Sequence, residues 1–335
     1  MHRFRRLFLV CASAVVFCSS LSAEDPAPAP PGVLVDLGGH KLHVHCTGKS
    51  GPTVLVETGF GDFSFDWILV QERVSHFARI CTYDRAGYAW SDPGPLPRTF
   101  AQINLELHDA LNKLGERGPY VLVGHSYGGP AMRNFAATYP RDVAGMVLVD
   151  AAHEGMRISI GGKNTVRLGE GAKAMPIPEP HEQMRAADRP TDSSTAPPPP
   201  PQPLEPLYQK LPASNQKLHL WAQNLSTLDE TEDNERQWSE IYYAEWLAAP
   251  LQRPLGAFPL IVLTRAEGGY GEDFDVPAAQ MEKERKQGQA KLLLLSSNSS
   301  QIVLPSGHNM EIEDPDGVAA AIRRVVDAAN RKQSL

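Results

Sequence analysis

The stretch Gly124-His125-Ser126-Tyr127-Gly128-Gly129 carries the clearest chemistry in the chain. It fits the pattern G-x-S-x-G, in which a serine sits on a sharp turn between a strand and a helix. The pattern alone is a weak sign, because glycine and serine are common. Its setting makes it strong. The apolar run Val121-Leu122-Val123 precedes it, and a helical stretch from Ala131 to Tyr139 follows. Gly124 and Gly128 suit this turn because a Cβ at either position would clash where strand and helix converge. A serine hydroxyl becomes a good nucleophile only when a neighbouring base takes its proton. Ser306-Gly307-His308, directly after Ile302-Val303-Leu304, puts an imidazole in the loop after the last apolar run. His308 is therefore the expected base for Ser126. His125 adjoins the nucleophile, but its side chain is expected to point away from the partner side and to be structural.

Attack on a carbonyl also needs two backbone N–H groups aimed at the developing oxyanion. Tyr127, the residue after the nucleophile, is the first expected donor. Phe60 is the second; in Glu57-Thr58-Gly59-Phe60-Gly61-Asp62 its flanking glycines let the backbone come close to a substrate. A carboxylate must orient the imidazole and stabilise its cation. Asp150 ends the run Val147-Leu148-Val149 and is preferred for this role. Glu267 stands second and Asp273 third, both in the loop after a later apolar run. The competing role for Asp150 is to cap the following turn. None of this chemistry requires a metal ion or an organic cofactor.

Elements must now position these residues. Short apolar runs predict strands near 33–37, 41–46, 53–57, 79–83, 120–124, 145–149, 259–264 and 300–304. The first two alternate and are joined by Gly38-Gly39, as in a hairpin. The later ones are nearly continuous in apolar residues, as strands buried on both faces of a parallel sheet are. Helical patterns lie around 66–76, 99–116, 127–138 and 315–330. Strands alternating with helices indicate an α/β protein with a mostly parallel sheet of eight strands flanked by helices. Residues 151–258 break this rhythm and read as an insertion between two parts of one core, 33–150 and 259–335. Within it, 176–206 is rich in proline, including Pro197 to Pro201, and is expected to be a disordered surface loop. Leu218, Trp221, Leu225 and Leu228 then fall at helical spacing, as do Trp238, Tyr242 and Trp246. Two amphipathic helices are expected to form a cap over one end of the sheet, with part of the aromatic set lining an apolar pocket.

The chain has 335 residues, is 42% hydrophobic and carries a formal charge of −7 from 32 basic and 39 acidic residues. That balance leaves no electrostatic footprint for nucleic acid. Residues 1–23 run from the basic MHRFRR through an apolar core to small residues ending at Ala23, the order of a signal peptide. A proline-rich leader follows over 24–32. The expected location is periplasmic or secreted, with no stable membrane insertion after cleavage. Cys18 follows Phe17, where a lipoprotein signal carries a small residue, so lipidation is not expected. Outside this segment only Cys46 and Cys81 remain, as a disulfide or as two buried thiols.

Taken together, the Ser126 turn, the Ser306-Gly307-His308 end and the segment Tyr83-Asp84-Arg85-Ala86-Gly87-Tyr88-Ala89-Trp90-Ser91-Asp92-Pro93-Gly94 resemble the α/β-hydrolase superfamily, in its branch with an inserted helical cap. The resemblance covers most of 33–150 and 259–330. Its usual strand order sets the second strand antiparallel beside the fourth, which implies a Cys46–Cys81 disulfide. Asp84 and Arg85 are expected to brace loops near the nucleophile. The chain departs from common members in having Thr58 where many have His, and in lacking an Asp at the usual short offset in the loop carrying Glu267. Some lipases place the acid where Asp150 stands.

The resemblance and the residues together imply hydrolysis of a carboxylic ester through an acyl-enzyme on Ser126, with a small acyl substrate, apolar or aromatic. Serine at the elbow argues against epoxide hydrolase or dehalogenase chemistry, which typically uses Asp there in this fold. An aminopeptidase, thioesterase, lipase or C–C bond hydrolase could use the same residues. A peptidase would need cap carboxylates for a free amine, and Glu230, Glu232, Asp233 and Glu235 are the candidates. The rival of another kind is a non-catalytic binding protein on the same scaffold. Oligomeric state is not readable from the chain.

Overall fold

The computed structural model describes residues 27–159, 164–173, 175–181, 201–249, 255–266, 268 and 274–335. The expected signal peptide, the first residues of the leader, most of the proline-rich stretch, and both Glu267 and Asp273 lie outside the described residues.

Eight strands form one sheet: β1 (Val33–Asp36), β2 (Lys41–Thr47), β3 (Val54–Glu57), β4 (Ile80–Tyr83), β5 (Tyr120–His125), β6 (Val143–Val149), β9 (Leu260–Arg265) and β10 (Ser299–Leu304). A separate small hairpin pairs β7 (Arg157–Ser159) with β8 (Thr165–Arg167). The sheet order is β1-β2-β4-β3-β5-β6-β9-β10. Only β2 runs against its neighbours; the six strands from β4 to β10 are parallel. All eight strands read from the sequence are present, with ends moved by a residue or two.

The central strands show why an unbroken apolar run makes a parallel sheet. Successive side chains point to opposite faces, so each run must satisfy two cores. Val54, Val56, Val121, Val123, Val147 and Val149 pack on one face with Ile261 and Leu263. Leu55, Leu122, Met146, Leu148, Leu260 and Val262 pack on the other. The first core is covered by α1 (Ile68–Ser75) and α8 (Pro315–Arg331), the second by α2 (Phe100–Leu114) and α3 (Gly128–Thr138). Helix α2 starts where the Thr99 hydroxyl accepts the Gln102 N–H at 3.0 Å and stops at Gly115, whose φ of 77° is left-handed. Cys46 and Cys81 face each other in register across β2 and β4 and are joined by a disulfide.

The segment between β6 and β9 holds α4 (Ala213–Ala222) and α5 (Leu228–Ala248). The apolar series from Leu218 to Leu228 does not form one helix, as its spacing predicts. The helix ends at Ala222, and Leu228 opens the next one. The series still packs together, because Leu218, Trp221, Leu225 and Leu228 meet Trp90, Phe63 and Phe65 in one cluster. Two further helices follow β9 and β10: α6 (Ala278–Leu292) and the single turn α7 (Met310–Glu313). No described helix is long and apolar enough to cross a membrane.

Candidate active site

The turn after β5 holds Ser126 at a φ of 49°, a left-handed conformation that a serine adopts only under constraint. The constraint is local. The Ser126 N–H donates to the Val149 carbonyl at 3.1 Å, and its own carbonyl accepts from Ala152 at 2.9 Å. A Cβ on Gly124 would stand 2.5 Å from the Gly128 carbonyl oxygen, and one on Gly128 would overlap the Glu57 carbonyl. Both glycines are therefore structural requirements of the turn.

Three of the singled-out side chains converge here. His308 Nε2 lies 3.0 Å from Ser126 Oγ, and its Nδ1 lies 2.7 Å from Asp150 Oδ2. A carboxylate can only accept, so the Nδ1 proton points at Asp150 and Nε2 is left with a lone pair facing the serine hydroxyl. Asp150, at the end of β6 with a φ of 36°, is buried. Arg265 approaches its Oδ2 at 3.4 Å and Arg285 its Oδ1 at 3.6 Å. Burial works to raise the Asp150 carboxyl, but the His308 hydrogen bond and the two arginines outweigh it and hold the group below its ordinary range. His308 is shifted down from 6.5, chiefly because burial disfavours its cation and despite the Asp150 bond. A lowered imidazole is neutral, and so able to act as a base, at pH 7.

Phe60 and Tyr127 both line the cavity beside Ser126 and His308, and their rings pack with centroids 4.1 Å apart. The loop carrying Phe60 is held from beneath by Arg85. This buried guanidinium donates to the Thr58 carbonyl at 3.1 Å and the Gly59 carbonyl at 3.0 Å. Its charge is met by Glu57 at 2.9 Å and, from α5, by Glu235 at 3.1 Å. The bracing role expected of Arg85 is thus seen in its contacts. Asp84 braces as well, accepting from the Ser64 N–H at 2.8 Å and pairing with His43 at 2.7 Å.

The cavity above Ser126 has a volume of about 530 Å³. Its apolar wall comes from Met156, Ile158, Leu168 and Tyr243, not from the aromatics singled out in the sequence. Three of those pack elsewhere. Trp221 packs on Trp90 at 5.4 Å, Tyr242 on Phe100 at 4.8 Å, and Trp246 under Arg133 at 4.2 Å. The physical reason is the two-sidedness of α5. Tyr242 and Trp246 turn to the core, which leaves Glu232, Arg236, Ser239 and Glu240, with Tyr243 as the apolar member, over the cavity. Of the four acidic candidates, Glu232 alone lines this space; Glu235 is committed to Arg85, while Glu230 and Asp233 are exposed. Burial pushes the Glu232 carboxyl up to about 7.

His125 does not point away from His308. The two rings lie 4.8 Å apart, and His125 Nε2 is 3.1 Å from the His308 carbonyl oxygen. The side chain turns back because two buried acids, Asp62 and Glu311, take up its ring nitrogens at 3.0 and 3.8 Å. Neither acid carried a sequence signal of its own, and nor did Arg285, which sits on the charged helix α6.

The model of the alpha/beta hydrolase family matches residues 42–321. The chain belongs to that family, and its sheet and flanking helices are the alpha/beta hydrolase fold. Among curated proteins, it is 38% identical over 129 residues to "Probable transporter efuK" of Hormonema carpetanum, a match spanning 36% of this chain and 18% of that protein. It is 35% identical over 112 residues to lipase LipV of Mycobacterium tuberculosis, spanning 33% of this chain and 42% of the lipase. The chain thus spans less than half the length of these relatives. Among solved structures, a thermophilic esterase from Thermogutta terrifontis superposes with a TM-score of 0.55 at 20% identity, over 87% of this chain and 94% of the esterase.

Proposed function

We propose that this chain is a serine hydrolase that cleaves a carboxylic ester through an acyl-enzyme on Ser126. His308 Nε2 takes the hydroxyl proton as Oγ attacks the ester carbonyl. The oxyanion is received by the N–H groups of Phe60 and Tyr127. Asp150 holds the imidazole and stabilises its cation. The tetrahedral intermediate expels the alcohol, which takes the proton from His308. Water, deprotonated by the same imidazole, then releases the acid. The observation that carries this reading is the unbroken chain from Ser126 through His308 to Asp150 at the floor of one cavity. The names of the esterase and lipase among the similar proteins agree with it. The described residues within 151–258 serve as the cap that walls the cavity. The Cys46–Cys81 disulfide and the signal-like residues 1–23 support export to an oxidising compartment. A fluorophosphonate probe is expected to label the wild-type protein and not Ser126→Ala. A folded wild type that resists labelling and turns over no p-nitrophenyl ester would overturn the proposal.

One observation favours a second reading, in which the scissile bond belongs to a substrate bearing a free amine. Glu232 faces the cavity, and its Oε1 accepts no hydrogen bond among the described residues. A substrate ammonium group would satisfy that carboxylate and restore its charge. Under this reading, amino-acid p-nitroanilides are cleaved at least about tenfold better than their deaminated counterparts, and Glu232→Gln removes the difference. Equal rates on both would exclude it.

A further inference from the structure

Behind the Ser126–His308 pair lies a second imidazole that the reaction does not use. His125 is buried, and both of its ring nitrogens face oxygen. Nε2 faces the backbone carbonyl of His308 at 3.1 Å, and a carbonyl only accepts, so Nε2 carries a proton. Nδ1 faces Asp62 Oδ2 at 3.0 Å. The other Asp62 oxygen accepts the Tyr208 hydroxyl at 3.1 Å, a bond that favours the ionised carboxylate, so Nδ1 carries a proton too. A second carboxyl, Glu311, stands 3.8 Å from Nε2. The ionised Asp62 calls for a cation beside it, and Glu311, whose carboxyl burial raises to about 7, adds its charge above that pH.

We infer that His125 is an imidazolium that positions His308: one N–H holds the His308 backbone, and the charge keeps the neighbouring catalytic ring neutral. The inference rests on the reading of His308 as the base. The ring centroids are 4.8 Å apart, so a proton on His308 would place two cations side by side in a buried site. The base is thereby kept with an open lone pair toward Ser126. Every charged or titratable group facing His125 is accounted for: Asp62 from the loop after β3, and Glu311 and His308 from the segment after β10. Trp67 adds an uncharged ring at 6.3 Å. Behind Asp62 stand Asp66 and its partner His219, 2.9 Å apart, and Tyr208 stacks on His219 at 3.5 Å. The cluster therefore joins the nucleophile turn, the base loop and the inserted segment. Although burial opposes the charge, Glu311 and Asp62 raise His125 to about 9.

The test has a spectroscopic arm and a kinetic arm, both on the full chain. In ¹⁵N-histidine-labelled protein, with His125 assigned by its loss in His125→Gln, both ring nitrogens are expected to be protonated at pH 7. The His125 ring is expected to lose a proton only near pH 9. In Glu311→Gln that titration, read from the nitrogen shifts, moves roughly one pH unit lower, because a flanking charge is gone. In His125→Gln, whose amide can still donate to the His308 carbonyl, the acidic rise of kcat/KM for a p-nitrophenyl ester moves to higher pH. A role in packing alone leaves that rise in place. A neutral His125 ring at pH 7, or an acidic rise unmoved in His125→Gln, overturns the inference. Should His125→Gln not fold, Glu311→Gln decides through its own nitrogen shifts, and an unmoved His125 titration there overturns the inference. The spectroscopic arm needs no turnover, so it stands apart from failure of the Ser126 mechanism, which shows as absent fluorophosphonate labelling.

Discussion

Replacing Asp150 by asparagine gives the sharpest test of the proposed catalytic arrangement. The change preserves shape and removes one negative charge. In the wild type, Asp150 Oδ2 accepts from His308 Nδ1 at 2.7 Å, and this fixes the proton on Nδ1 and the lone pair on Nε2. An asparagine can present its NH₂ to Nδ1 instead. The ring then carries its proton on Nε2, facing Ser126 Oγ at 3.0 Å, where it can no longer accept the hydroxyl proton. The imidazolium formed on attack also loses its counter-ion. Where this tautomer error has been made in other serine enzymes, kcat falls by about 10⁴, which corresponds to about 5 kcal/mol of transition-state stabilisation. We expect a loss of that order here, read as kcat on p-nitrophenyl butyrate, with KM nearly unchanged. A smaller, separate effect on stability is also expected. Arg265 and Arg285 lie 3.4 and 3.6 Å from Asp150, and the variant leaves their charges less well compensated. Fluorophosphonate labelling should slow in parallel with kcat. A loss below about tenfold would refute the assignment. So would abolition of turnover by Glu267→Gln with Asp150→Asn still active, since Glu267 would then be the acid.

Two further outcomes follow from the buried charges. His308 must be neutral to act as a base, and its shift below 6.5 lets that form persist at lower pH; the acidic half-point of kcat/KM is therefore expected below pH 6.5, and a half-point above 7 would contradict it. Arg85→Met leaves Glu57 and Glu235 buried without their cation, which is expected to cost about 3–5 kcal/mol, seen as a lower Tm. Turnover should fall with it, because the Thr58 and Gly59 carbonyls that set the Phe60 N–H lose their donor. An unchanged Tm would show that the network contributes little.

The parts of this molecule that were legible in the sequence are those with local or periodic causes. The eight strands of the sheet announced themselves because each central strand fills two cores and so admits almost no polar residue. Ser126 was legible because its turn demands glycine at fixed offsets. Asp150 was legible because it ends an apolar run, and His308 because it stands in the loop after the last one. Helix α6 was missed for the opposite reason: the run from Ala278 to Leu292 is mostly charged or amide-bearing, and only a few of its residues, among them Met281 and Leu292, supply buried apolar contact. Arg285 went with it. The cavity wall was misassigned because periodicity identifies an apolar stripe and not the surface it meets. Tyr242 and Trp246 of α5 met the core, so the face it turns to the cavity is mainly polar, with Tyr243 beside Glu232, Arg236, Ser239 and Glu240. His125 was misjudged because its direction depends on Asp62 and Glu311, 63 and 186 positions away along the chain.

These long-range pairings also bear on how the inserted segment relates to the core. Arg85 is supplied by the core, yet one of its two anions, Glu235, comes from α5. Asp62 likewise belongs to the core, and the hydroxyl on its second oxygen comes from Tyr208 in the inserted segment. Without that segment, Arg85 would keep only Glu57, and Glu57 also receives the Tyr83 hydroxyl. The guanidinium would then sit beside the Phe60 loop half-compensated, with its carbonyl contacts to Thr58 and Gly59 exposed to competing water. Charge balance on both sides of Ser126 thus requires both segments at once. The pairings of Tyr208 with Asp62 and of Glu235 with Arg85 tie the Phe60 loop and, through His125, the His308 loop to the segment between β6 and β9, although none of Ser126, His308 and Asp150, the proposed nucleophile, base and acid, comes from it.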